Sequence, residues 1–122
     1  MCQHVFTADA GTPFYCAPEM MKEHRLLRES DVFSYGVIMW GLAHSCPPYI
    51  SRDGILERHP NFPAFQVHVP LTYTLLAIAC MSSSPTDRPS FQQIMEVLTS
   101  LNKELECGRY IDAQGNMQVS RT

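Results

Sequence analysis

The segment from Val32 to Ala43, VFSYGVIMWGLA, is apolar almost all the way round a helix and is interrupted only by Ser34, Gly36 and Gly41. A helix lying on a surface shows one apolar stripe, whereas one apolar on every side is buried over most of its circumference. Such a helix requires other segments to pack around it, and a chain of 122 residues has room for one domain in which to do so. Ser30 reads as the N-cap of this helix, with Asp31 in the first turn where the helix dipole favours an acid. Pro47-Pro48 ends the region.

The flanking segments supply helices to pack against it. Pro18 stands where a first-turn proline is pre-organised, so a short helix is expected through Glu19 to about Lys22. The charged stretch from Lys22 to Glu29 reads as a solvated connection. Ser51 to Arg58 is expected to form a short helix capped by Ser51, and Pro60, Pro63 and Pro70 make the next stretch loop-like. Between Leu71 and Met81, Leu71, Leu75, Ile78 and Ala79 fall at helical spacing, and Ser82 to Pro85 reads as a turn. Ser90 and Gln93 fit a capping box for a last helix whose stripe is Phe91, Ile94, Met95, Leu98, Leu101 and Leu105. Gly108 stops it. The polar segment from there to Thr122 is expected to be loosely ordered. No alternating strand stands out, so the expected fold class is mainly α.

Composition narrows the function. The formal net charge is −3 and the nine basic residues are scattered, which argues against nucleic acid and against an anionic membrane surface. No apolar run is long enough to span a bilayer, and Met1 to Phe6 carries neither the basic nor the apolar part of a signal peptide. A cytoplasmic location is expected. The five cysteines (Cys2, Cys16, Cys46, Cys80, Cys107) are far apart and odd in number, which suits free thiols, with Cys80 as a small core residue. Cys2 and His4 lack a second half for a metal site, and no metal ligand set is expected.

Three blocks occur in a fixed order: Gly11-Thr12-Pro13-Phe14-Tyr15-Cys16-Ala17-Pro18-Glu19, then Ser30-Asp31-Val32-Phe33-Ser34-Tyr35-Gly36-Val37, then Arg88-Pro89-Ser90-Phe91. The first resembles the end of a protein kinase activation segment. The second is similar to the start of that family's central helix, and the third to the opening of the last helix of its large lobe. The resemblance spans about Ala10 to Leu101 and implies a partial protein-kinase-like large lobe with helices around one central buried helix. It implies a kinase portion over residues 1–106 and a flexible tail over 107–122. Thr12-Pro13 and Tyr15 lean toward serine/threonine kinases. Val37-Ile38-Met39-Trp40 and the Arg88 block lean toward the tyrosine-kinase-like branch of those.

The resemblance also assigns roles. It implies that Thr12, Pro13, Phe14 and Tyr15 dock a protein or peptide substrate. It implies that Glu19 forms a buried ion pair with Arg88, whose planar fork suits a carboxylate, and that Asp31 anchors the catalytic loop of a complete family member. Gly36 in mid-helix costs about 1 kcal/mol relative to alanine unless a close-packed neighbour requires it. Thr7 lies in the activation-segment stretch and is available to phosphorylation, although an exposed threonine without a role suits it better.

Phosphoryl transfer in the family uses a Gly-rich loop, a strand lysine, an HRD-type catalytic loop and a DFG aspartate, with Mg-ATP as cofactor. None of these motifs is in the sequence. His24-Arg25-Leu26 has leucine where the base belongs and follows the activation-segment block instead of preceding it. Asp9-Ala10-Gly11 abuts the Gly-Thr block with no room for an activation loop. The expectation is therefore a kinase fragment that keeps substrate docking and has no catalytic residue, no cofactor-binding residue and no activity by itself. The alternative is a non-catalytic, kinase-like interaction module. Apolar helix surface left uncovered is expected to promote self-association.

Overall fold

A computed structural model describes residues 12–112 and 114–119; for Thr12 and Pro13 only the backbone is described. Thr7, Cys2, His4 and Asp9 to Gly11 lie outside the described residues. A 3-10 turn at Thr12–Tyr15 leads into helix α1 at Pro18–Glu23 and the long helix α2 at Arg28–His44. A hairpin follows, β1 at Tyr49–Arg52 and β2 at Ile55–Arg58, then α3 at Leu71–Cys80, a 3-10 turn at Pro85–Asp87 and α4 at Phe91–Glu106. A second hairpin, β3 at Arg109–Ile111 and β4 at Met117–Val119, closes the described chain. About half of the chain is helical, with two small antiparallel sheets.

The core lies where α2, α3 and α4 meet. Val32 and Met39 of α2, Leu76, Ala77 and Cys80 of α3 and Ile94 of α4 are buried together, with Tyr35, Phe65, Tyr73, Met81, Val97 and Leu98 packed against them. Gly36 explains how close α2 and α3 come. A Cβ built there would stand 2.7 Å from Met81 Cγ, 2.8 Å from Cys80 Cβ and 3.1 Å from the Ala77 carbonyl oxygen. The Tyr73 hydroxyl donates to the Met39 carbonyl at 2.7 Å and ties the same two helices. Burial pushes that phenol up to about 12.

That crossing also selects which side of α3 is inside. Thr74, Leu76, Ala77 and Cys80 are buried, while Leu75 and Ile78, two members of the stripe expected from spacing, are exposed. Small side chains at Ala77 and Cys80 are what a close approach at a glycine admits, so the crossing overrides raw hydrophobicity. In α4 the expected capping box is present: Ser90 Oγ accepts from the Gln93 N–H at 3.1 Å, and Gln93 Oε1 accepts from the Ser90 N–H at 2.8 Å. Ile94 and Leu101 of its stripe are buried, whereas Phe91 and Met95 are exposed. On α2 the burial is one-sided, since Ile38 and Leu42 stand 45% and 72% exposed.

Several expectations are corrected. Ser51 to Arg58 is a β-hairpin and not a helix, because Asp53 and Gly54 both adopt positive φ, 54° and 80°. That is the two-residue turn which matches the twist of paired strands. Tyr49 pairs with Arg58, and Arg52 with Ile55. Helix α2 begins at Arg28, with Leu27 as N-cap, so Ser30 lies inside the first turn and its Oγ accepts from the Leu27 N–H at 3.1 Å.

The C-terminal segment, expected to be loose, contains the second hairpin. Asp112 organises its turn, with Oδ1 accepting from the Asn116 N–H at 2.9 Å and the Gln114 N–H at 3.0 Å, and Oδ2 from Gln118 Nε2 at 2.8 Å. The backbone N–H of Asn116 leads in holding that carboxyl below its ordinary range. The free-thiol reading applies to Cys46, Cys80 and Cys107.

Candidate functional site: a 3-10 turn and a buried ion pair

Residues 12–19 run from the 3-10 turn into α1, and two contacts seat the turn. Ser34 Oγ donates to the Tyr15 carbonyl at 2.7 Å, which binds it to α2. The Phe14 ring stacks on Tyr49 of β1 with centroids 5.4 Å apart. Burial, and then the neighbouring Tyr49 hydroxyl, raise the Tyr15 phenol above its ordinary value. The turn therefore rests on both α2 and the first hairpin.

Downstream of it, Glu19 and Arg88 meet across 69 positions of sequence. Arg88 Nη1 donates to Glu19 Oε2 at 2.8 Å and Nη2 to Oε1 at 2.9 Å, the paired fork a guanidinium makes with a carboxylate. Both side chains are buried. Two further donors are used as well: Nε donates to the Ser82 carbonyl and Nη1 also to the Glu29 carbonyl, each at 2.9 Å. Phe33 lies against the guanidinium, 5.1 Å from ring centroid to Cζ. Ser30 Oγ donates to Glu19 Oε2 at 2.6 Å. The hydrogen bond from Arg88 leads in drawing the Glu19 carboxyl down to about 2, against the opposing effect of burial. One arginine thus joins α1, the start of α2 and the turn that precedes α4.

Asp31 is not part of this assembly. It stands exposed in the first turn of α2, and its carboxylate has no hydrogen-bond partner among the described residues. Four participants were not legible in the motifs as site residues. Ser30 reads as a helix cap but bridges Glu19 to the Leu27 backbone. The carbonyls of Glu29 and Ser82 carry no side-chain signal at all. Arg58 is placed by the hairpin, its Cζ 5.7 Å from the Phe14 ring centroid and 5.1 Å from that of Phe62. Only the Asp53-Gly54 turn, which sets Tyr49 opposite Arg58, could have shown it.

The family model for protein tyrosine and serine/threonine kinases matches residues 7–98. The chain belongs to the protein kinase family. It is 28% identical to the probable serine/threonine-protein kinase drkB of Dictyostelium discoideum, over 75% of the chain and 14% of that protein. It is 31% identical to the serine/threonine-protein kinase STY17 of Arabidopsis thaliana, over 83% of the chain and 19% of that protein. It thus spans less than a fifth of the length of these curated relatives. No helix among the described residues is long and apolar enough to cross a membrane.

Proposed function

We propose that this chain is the substrate-docking part of a serine/threonine kinase large lobe, in which Thr12, Pro13, Phe14 and Tyr15 receive a protein or peptide segment. By itself the chain does not transfer phosphate. The observation that carries this reading is the Glu19–Arg88 fork, which ties α1, the helix directly after the docking turn, to the segment before α4. A docking surface needs such support, because a recognition segment free to move loses affinity to its own ordering.

The residues present do not suit Mg-ATP. Among the described residues no three His, Cys, Asp or Glu side chains gather where they could hold a metal ion, and the sequence has no Gly-rich phosphate cradle. Asp31 and the open side of α2, with Ile38 and Leu42 exposed, are the surfaces a complete large lobe covers with its catalytic loop and the helix before it. In a complete, cytoplasmic family member those segments bring the catalytic base and the cofactor.

Titration calorimetry with Mg-ATP and a radiolabelled transfer assay on the purified chain test the proposal. Neither binding nor transfer is expected. Stoichiometric transfer to any protein substrate would overturn it. A monomer that melts cooperatively above about 60 °C and binds no added upstream kinase segment would instead favour a self-sufficient interaction module.

A further inference from the structure

Among the described residues two arginines sit against aromatic rings, Arg58 and Arg88, and they differ in one respect. Arg88 has every guanidinium nitrogen bound to a protein acceptor. Arg58 has none so bound, and no carboxylate pairs with it, among the described residues. Its contacts are the rings of Phe14 and Phe62, and a ring contact consumes no N–H donor. Alternation along the hairpin puts Arg58 beside Tyr49 and on the opposite face from its neighbour Glu57, whose carboxylate lies 3.9 Å from Arg52. Arg58 is thus an exposed cation, oriented by two rings, with its donor edge unused. One of those rings, Phe14, belongs to the docking turn itself.

A guanidinium with free edges pairs with a carboxylate or phosphate through parallel hydrogen bonds, and prior orientation reduces the entropy lost on pairing. We infer that Arg58 is a specificity-determining residue of the docking surface, which selects a peptide carrying an anionic side chain close to the residue seated against Phe14. The inference rests on the docking proposal above. Aspartate, glutamate and phosphoserine share the chemistry that Arg58 recognises.

The test is fluorescence anisotropy of the chain with fluorescein-labelled, otherwise uncharged serine peptides. Each carries Asp, phosphoserine or Asn, moved in turn through the positions flanking the serine. At one position the Asp or phosphoserine peptide is expected to bind about tenfold more tightly than the Asn peptide, the size of one charge-assisted contact. Arg58→Gln should bind the three alike, and Arg58→Lys should keep part of the preference. A gain for phosphoserine alone identifies phosphate as the ligand; a gain for both shows that a carboxylate suffices. Equal affinities in the unmodified chain, or a preference that survives Arg58→Gln, would overturn the role of Arg58 while leaving docking intact. Failure of every peptide to bind would overturn the docking proposal and this inference with it.

Discussion

Replacing Arg88 by alanine removes both hydrogen bonds to Glu19 and those to the carbonyls of Ser82 and Glu29. The Glu19 carboxylate then keeps only the Ser30 hydroxyl inside a buried site. Stranding one partner of a buried pair costs about 3–5 kcal/mol, a large part of the roughly 5–15 kcal/mol that holds a domain together. Glu19→Ala should cost a similar amount, because it strands the guanidinium. The double variant should be far less damaged than the sum, with a coupling of about 2–3 kcal/mol.

Urea melts followed by the fluorescence of Trp40, the only tryptophan in the chain, give all four stabilities. The pH dependence provides an independent check. A carboxyl drawn from 4.5 to about 2 in the folded state stabilises the fold fully above its unfolded value. That stabilisation is lost as pH falls from about 4.5 toward 2, and a displacement of this size is worth about 3 kcal/mol. Glu19→Gln should remove that part of the acid sensitivity. Additive losses below about 1 kcal/mol, or an acid profile unchanged in Glu19→Gln, would refute the argument.

Gly36→Ala should destabilise the chain by about 1–3 kcal/mol, read from the same melts, because its Cβ would press on Cys80 Cβ and the Ala77 carbonyl, neither of which can swing aside. Cys80, fully buried and with its thiol pushed up to about 11 by burial, should resist maleimide labelling in the folded chain, while exposed Cys107 reacts; mass spectrometry of the labelled digest distinguishes the two.

Much of the helical framework was legible from local chemistry. Pro18, the Ser90–Gln93 box and the apolar run from Val32 each announce a helix through rules confined to a few neighbouring residues. The family was legible as well, since its three blocks are short and ordered, and the family match over residues 7–98 agrees with them. The Asp53-Gly54 turn is also local information, but the helix expected over Ser51 to Arg58, with Ser51 as its cap, hid the hairpin that the turn makes.

Other features depended on distant partners. Whether Leu75 or Ala77 faces inward follows from how closely α3 approaches Gly36, and that distance belongs to the pair of helices and to neither alone. The docking of Arg88 onto the Glu29 carbonyl, and of Arg58 onto Phe14, joins groups far apart in sequence. No spacing rule within one segment encodes them. Sequence by itself determined four of the five expected helices, and the family resemblance paired Glu19 with Arg88; only tertiary packing decided which faces are buried and which arginine keeps its donors free.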